Sequence, residues 1–347
     1  MIFQQLFDQT SSTFTYLLAR RSGGEALIVD PVFEHVDSYV SLCRRLDLKL
    51  VKAIDTHIHA DHITGLGALR DITRCVTVMG ERSGADVVSI RVKEDETIDV
   101  DGVELRTLFT PGHTDDSYSF LMDDRVFTGD ALLIGGTGRT DFQNGDPYAA
   151  YDSLFNKLLK LPAESLVFPA HDYNGNTVST IGYEQVHNPR LQVGSAEEYA
   201  EIMNNLKLAN PKLMDVAVPA NRALGKSLER FVRPGESVEA ADLLQEQGEK
   251  KLVLIDLREK RERERDGWIP SSVHVPYGAI AEQLRPGGAL ERIARDHPGQ
   301  VVLYCAYGER SAMALDTMRS AGFSGLRHLA GGIAGWLKSG GEVEVDR

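Results

Sequence analysis

Short apolar runs broken by turn residues fill the opening part of the chain. FTYLLA, EALIVD and LVKAIDTH each end at or near a Gly, Asp or Pro, and each predicts a strand. Between the last two, VDSYVSLCRRLDL sets its apolar residues at helical spacing. After THIHADH (residues 56–62), ITGLGALRDI predicts a short helix that Asp61 caps. VELRTLFT, YSFLMD and RVFTGD continue as strands, AAYDSLFNKLLKL as a helix and SLVFPAHD as a further strand. Strands first, then strands alternating with helices, predict stacked sheets with helices outside. Ser195 and Glu198 fit a capping box, and Tyr199, Ile202, Met203 and Leu206 form one core-facing stripe that Pro211 brings to an end.

The pattern then stops and restarts. RALGKSLERFVRPGE is rich in charge and short of strand-forming runs. Beyond it KLVLIDLR and VVLYCAYG read as strands, with HVPYGAI between them, and SAMALDTMRSAGF reads as a helix followed by LRHLAGG. That alternation predicts a small α/β domain with a parallel sheet. The expected organisation is a first domain over residues 1–225, a linker over 226–235 and a second domain over 236–347. At 347 residues, a chain too long for one ordinary core, two domains are the natural arrangement.

Composition removes several function classes. A net charge of -13 argues against an electrostatic hold on nucleic acid or an anionic membrane. The run REKRERERD interleaves acids with bases and reads as a solvated helix face. No apolar run approaches the roughly 18 residues of a membrane span. No signal or transit segment is visible, and Cys43, Cys75 and Cys305 are too scattered for a disulfide framework, so a cytoplasmic protein is expected.

The chemistry gathers at strand ends. On a strand, residues two apart face the same way, roughly 6.5 Å apart, so His57 and His59 point into one pocket. Asp61 and His62 follow where the next helix begins. His113 in TPGHTDD, Asp130 in FTGDALL and His171 in PAHDY each close an apolar run. Seven His and Asp residues at such edges point to metal.

That order, HxHxDH followed by a lone His, an Asp and a His, resembles the metallo-β-lactamase superfamily, which implies an αββα sandwich. In hydrolases of glyoxalase II type, all seven residues commonly hold two zinc ions. In another branch, two histidines and a carboxylate hold one iron and leave positions open. The ligand residues alone do not separate the two. TFTYLL, THIHADHITG, PGHT, FTGDALL, GRTDFQ, PAHDYNG, VSTIGYE, NPRL and VPAN, in this order over residues 1 to about 222, resemble the persulfide dioxygenases. The resemblance implies one Fe(II) per chain on His57, His113 and Asp130. His59, Asp61, His62, His171 and Asp172 become groups that orient those ligands. It implies oxidation of glutathione persulfide by O2 to sulfite and glutathione, and it allows a homodimer, because related dioxygenases are often dimers. Arg139 suits a glutathione carboxylate, with Tyr173 as a second contact; the alternative for Arg139 is a simple pair with Asp141.

In VVLYCAYGERSAMAL a strand runs into Cys305, and a helix is expected to start at or just after Arg310. Backbone N–H groups and the helix dipole there favour a thiolate. Cys43 and Cys75 lie within regular elements and read as inert. LIDLRE, DGWIPSSVHVP, CAYGER and LAGGIAGW resemble a rhodanese, although Trp268 stands where such domains often carry His. Four residues separate Cys305 from Arg310, as in sulfurtransferases; related phosphatases have one more. The resemblance implies transfer of sulfur from thiosulfate through Cys305 to glutathione, with Arg310 steadying the anion and Arg258 guiding it in. Two rival readings stay open: a dizinc thioester hydrolase with an accessory rhodanese domain, and a rhodanese half that carries or senses persulfide.

Overall fold

The computed structural model describes residues 1–209, 211, 213–224, 231–249 and 251–345. Part of the expected linker, residues 226–230, lies outside the described residues. One compact unit takes in the described residues through Leu224 apart from 87–89, and a second takes in 87–89 and those from Phe231 onward.

The first unit contains two six-stranded sheets. In one, β1 (Ile2–Asp8), β2 (Thr13–Ala19) and β3 (Glu25–Val29) are antiparallel, and β4 (Lys49–Ile54), β5 (Val76–Gly80) and β6 (Ile90–Val92) continue in parallel. In the other, β7 (Thr97–Val100), β8 (Val103–Phe109), β9 (Tyr118–Leu121) and β10 (Arg125–Gly129) form an antiparallel meander. β11 (Leu166–Pro169) joins β10 in parallel, and β12 (Ser179–Thr180) closes the edge. β2 is buried along its whole length, with Thr13 and Thr15 on one face, whereas β7 alternates buried and exposed positions. An aromatic cluster fastens sheet to sheet: Tyr16 on β2 packs 4.9 Å from Phe127 on β10, and its hydroxyl donates to the Pro169 carbonyl at 2.6 Å. Rings at such separations add to the area they bury.

Helices α1 (Val36–Arg45) and α2 (Leu66–Thr73) pack on the first sheet; α3 (Pro147–Asp152), α4 (Ile181–His187) and α5 (Ala196–Asn204) flank the second, and α6 (Met214–Ala223) follows. Local expectations change in three places. Gly65, not Asp61, caps α2, because the Asp61 carboxylate is committed to histidines. The predicted helix over AAYDSLFNKLLKL is α3 followed by a wider turn and then a tight one, ending at Lys160. At α5, Ser195 accepts from the Glu198 N–H, but Glu198 reaches back to the Gly194 N–H rather than to Ser195, so the capping box is half made. Tyr199 and Met203 are buried as the stripe predicts, and Ile202 is exposed.

The second unit is a five-stranded parallel sheet ordered β13 (Ser237–Val238), β17 (Arg327–Leu329), β16 (Val301–Tyr304), β14 (Val253–Asp256) and β15 (Val273–His274). Around it run α7 (Ala240–Glu249), α8 (Lys260–Asp266), α9 (Ile280–Gln283), α10 (Ala289–Asp296), α11 (Glu309–Ser320) and α12 (Gly332–Lys338). Alternate residues of β14 and β16 feed two cores, Ile255 and Leu303 on one face, Leu254, Val302 and Tyr304 on the other. HVPYGAI supplies only the two residues of β15 before the chain turns. Phe231, placed by sequence in the linker, is buried against Ala312 and Met313. No helix among the described residues is long and apolar enough to cross a membrane.

Candidate functional site

The metal-type residues of the first unit meet where its two sheets present the ends of their strands. THIHADH leaves β4 of one sheet; His113, Asp130 and His171 follow β8, β10 and β11 of the other. Gly129 makes the turn into Asp130 with φ +54, and a Cβ there would stand 2.9 Å from Thr56, so the position needs glycine for both reasons.

Two adjacent ligand groups with no residue in common result, and a third, Asp30, Asp55 and His59, shares His59 with one of them. His57, His113 and Asp130 bring three ligand atoms within 4.8 Å of one another, as do His59, Asp61, His62 and His171. In the first group the outer ring nitrogens are spoken for. Thr56 Oγ1 lies 2.9 Å from His57 Nδ1, and the Arg139 carbonyl accepts from His113 Nδ1 at 2.7 Å. Both rings therefore offer Nε2 inward. Burial, reinforced by the neighbouring His59, pushes His57 well below the usual histidine range, which keeps it neutral as a ligand must be.

His171 differs. Its Nδ1 lies 2.6 Å from Asp130 Oδ1 and its Nε2 lies 2.8 Å from Asp61 Oδ2, so both nitrogens face carboxylates. Burial alone would strip its proton, but Asp130 and Asp61 outweigh it and hold the pKa well above the ordinary value. His171 is thus held at both nitrogens by carboxylates. In the second group, His59 Nδ1 and His62 Nε2 are buried without a partner, so the donor set as a whole fits a cation.

Supporting residues that the sequence did not single out complete the site. Asp30 accepts from the Thr56 N–H at 2.7 Å and lies 3.1 Å from His59 Nε2. Burial would lower His59, yet Asp30 raises it to about 9. Thr13 Oγ1 stands within 3.3 Å of both His62 Nδ1 and His171 Nε2. Asn221, from the VPAN stretch, donates to the carbonyls of His59 and His62 at 2.9 Å and accepts from the Thr64 N–H at 2.8 Å. One amide thus satisfies three buried backbone groups of the histidine loop. Asn221→Ala should destabilise the unit by about 3 kcal/mol, measurable by urea unfolding, because those groups lose their partners without gaining water. For Thr13 and Asn221 the only sequence signal was the resemblance of TFTYLL and VPAN, and Asp30 lies in none of the resembling segments.

One sequence expectation changes, and the two candidate substrate contacts are placed. Asp172 does not touch the histidines: its carboxylate accepts from the Asn174 and Asn176 N–H groups and organises the following turn. Arg139 grips Asp141 with two bonds of 2.6 Å and also donates to the Ala209 carbonyl, so it would have to leave Asp141 to take a substrate carboxylate. Tyr173 is exposed, its ring stacked 6.1 Å from that of His171.

In the second unit β16 runs into Cys305, and α11 begins at Glu309, one residue earlier than expected. Gly308, at φ +96, turns the loop back so that its N–H donates to Cys305 Sγ at 3.1 Å. Cys305 is buried, as are Cys43 and Cys75, and none of the three is in a disulfide. Arg310 is present but not idle. Glu262, from the run read as a solvated face, is buried and takes two of its N–H groups at 2.6 and 2.7 Å. Burial would raise Glu262, but Arg310 holds it below the ordinary range. Arg258 is fully buried on Asp256 and the Gly267 carbonyl, and does not face solvent where it could guide an anion. Trp268 donates to Glu344 at 2.9 Å and stacks under Arg263, a packing role.

His328 sits buried between Ser311 and Ser237. Burial lowers its pKa from 6.5 to about 4. The unfolded chain therefore takes up this proton first as pH falls, so the contribution to stability is whole above 6.5 and is lost progressively toward pH 4. Unfolding of the chain at pH 4.5 against pH 7.5 should show a loss on the order of 2–3 kcal/mol that His328→Gln reduces.

Comparison with known proteins agrees with both halves. Residues 9–171 match the metallo-beta-lactamase superfamily model and residues 239–339 the rhodanese-like domain model. The mouse protein "Persulfide dioxygenase ETHE1, mitochondrial" is 44% identical over 228 residues, covering 65% of this chain and 89% of the relative. The crystal structure of ETHE1 from Myxococcus xanthus is 51% identical, with a TM-score of 0.64, and covers 65% of this chain and 100% of that one. A metallo-beta-lactamase structure from Staphylococcus aureus, 22% identical with a TM-score of 0.61, covers 95% of this chain and 98% of its own; at that identity it shares the fold alone. With seven His and Asp residues gathered in its first unit and a cysteine loop at a helix start in its second, this chain belongs to the persulfide dioxygenases of the metallo-beta-lactamase superfamily and carries a C-terminal rhodanese-like domain.

Proposed function

We propose that the first unit oxidises glutathione persulfide with O2 to sulfite and glutathione at one Fe(II), and that the second transfers sulfur between thiosulfate and glutathione through Cys305. The observation that carries the first half is the asymmetry of the histidines. His57 and His113 are anchored through Nδ1, with His113 Nε2 3.4 Å from Asp130 Oδ2, while His171 is held at both nitrogens by carboxylates. Two histidines and a carboxylate are the set that suits iron with positions left open, so His57, His113 and Asp130 would hold the ion, which would supply the chemistry by which oxygen reaches the persulfide.

The protein's own residues do the rest. Thr56 and the Arg139 carbonyl fix the ring orientations, and His171 holds Asp130 in place. A persulfide is more acidic than a thiol and arrives as an anion, to which the His171 and His59 charges are favourable neighbours. Tyr173 is the residue proposed for the peptide part of glutathione. Three buried cysteines, none in a disulfide, suit a reducing compartment, in keeping with the cytoplasm proposed for it.

Metal analysis with oxygen uptake tests this reading. One iron per chain and one sulfite formed per O2 consumed on glutathione persulfide are expected. Two zinc ions per chain without oxygen uptake would instead establish the hydrolase. For the second half, Cys305→Ser should abolish sulfite formation from thiosulfate plus glutathione; undiminished sulfite would end the relay.

A further inference from the structure

Behind Cys305 runs a line of polar side chains that sulfur transfer, as described so far, leaves unused. Ser311 Oγ lies 3.8 Å from Cys305 Sγ, 3.1 Å from His328 Nδ1 and 3.0 Å from the Gly308 carbonyl. His328 Nε2 in turn lies 2.8 Å from Ser237 Oγ. Ser311 and His328 are buried, and Ser237 is exposed at the start of β13.

Ser311 has one hydroxyl proton and three neighbours able to accept it. A bare Nδ1 on His328 would capture that proton. A protonated Nδ1 would donate to the serine oxygen or the Gly308 carbonyl instead, and leave the hydroxyl proton free to turn to sulfur. Ser237, able to rotate at the surface, can donate to Nε2 and so keep the ring proton on Nδ1. Burial keeps the ring neutral, so the tautomer, not the charge, is the variable.

We infer that His328 is a positioning residue for sulfur transfer: held by Ser237 with its proton on Nδ1, it releases the Ser311 hydroxyl to donate to the Cys305 sulfur. This rests on the sulfurtransferase reading of the loop. In that reaction the Cys305 thiolate attacks the outer sulfur of thiosulfate; a new S–S bond forms as the old one breaks, and sulfite leaves with the bonding pair. An acceptor thiolate then attacks the outer sulfur of the Cys305 persulfide, and Cys305 departs as a thiolate with its own pair. Sulfur moves without net oxidation. The Cys305 sulfur is negative at the start of the first step and at the end of the second, and at both moments Ser311 adds a second donor to the Gly308 N–H.

The test uses the full chain with S311A, H328L, H328N, S237A and the S311A/H328L pair. Two readouts are taken: the Cys305 thiolate titration, from far-ultraviolet absorbance against the C305S chain, and thiocyanate formation from thiosulfate and cyanide. S311A and H328L should each leave about tenfold less thiolate at neutral pH, with a like fall in kcat and little change in KM for thiosulfate. H328N, which can place an amide N–H where Nδ1–H stood, should recover most of the loss. The exposed S237A should fall part way, and the S311A/H328L pair should be no worse than S311A alone. An H328L chain with wild-type titration and kcat, or a pair whose losses multiply, would overturn the inference. If even the unaltered chain forms no thiocyanate, the sulfurtransferase reading fails, and the titration alone then decides whether His328 acts on Cys305 through Ser311.

Discussion

His57→Ala should leave a folded chain that holds almost no iron and consumes oxygen on glutathione persulfide at least 100-fold more slowly, by about the limit of what loss of a mere supporting group costs. His57 contributes a neutral ring whose Nδ1 is already occupied by Thr56, so its Nε2 has no second task and no nearby residue can replace it. His62→Ala provides the contrast. With one iron, His62 only helps to hold Asp61, and its loss should cost about 10- to 100-fold while one metal per chain remains. With two metals, His62 is itself a ligand, and its removal should halve the metal content. Metal stoichiometry and oxygen uptake on the two variants therefore separate the readings more sharply than either variant alone.

Glu262→Ala should destabilise the rhodanese-like unit by about 3–5 kcal/mol, because it strands the buried Arg310 guanidinium without its counter-charge. Urea unfolding of the full chain, followed by a probe in the second unit, measures this. Replacing both residues with apolar side chains should recover much of the loss, since a buried ion pair often contributes little beyond what good packing would provide. Loss no greater than that of an exposed glutamate, about 0–1 kcal/mol, would mean that the pair is not closed in solution.

Glu262 also shows where the sequence was legible and where it was not. In REKRERERD acids and bases alternate on a short helix, and nothing in the spacing marks one glutamate as buried. The partner that buries it lies 48 residues away, on the helix after the cysteine. The same distance effect hid Asn221 and Thr13, whose hydrogen bonds to the histidine loop span 162 and 49 residues. Strands and ligands were readable for the opposite reason. β16 is a continuous apolar run, and the histidines stand just beyond the ends of β4, β8 and β11, so period and punctuation carried them. Arg139 was readable only as a choice between two partners, and its proximity to Asp141 in the chain settled the geometry. Asp61 looked like a helix cap because its sequence position suited one; the charge of His171 drew it elsewhere.

The division of the ligands between two sheets has a consequence for the life of the protein. His57 follows the end of β4 in one sheet, and His113 and Asp130 follow β8 and β10 in the other. No isolated half of the unit owns a complete site, so an ion that binds all three also ties the sheets together, and loading and folding become one equilibrium. Chains made while that metal is scarce should open more readily between the sheets and be degraded sooner. The abundance of the enzyme would then follow the metal supply before any change in the expression of its gene.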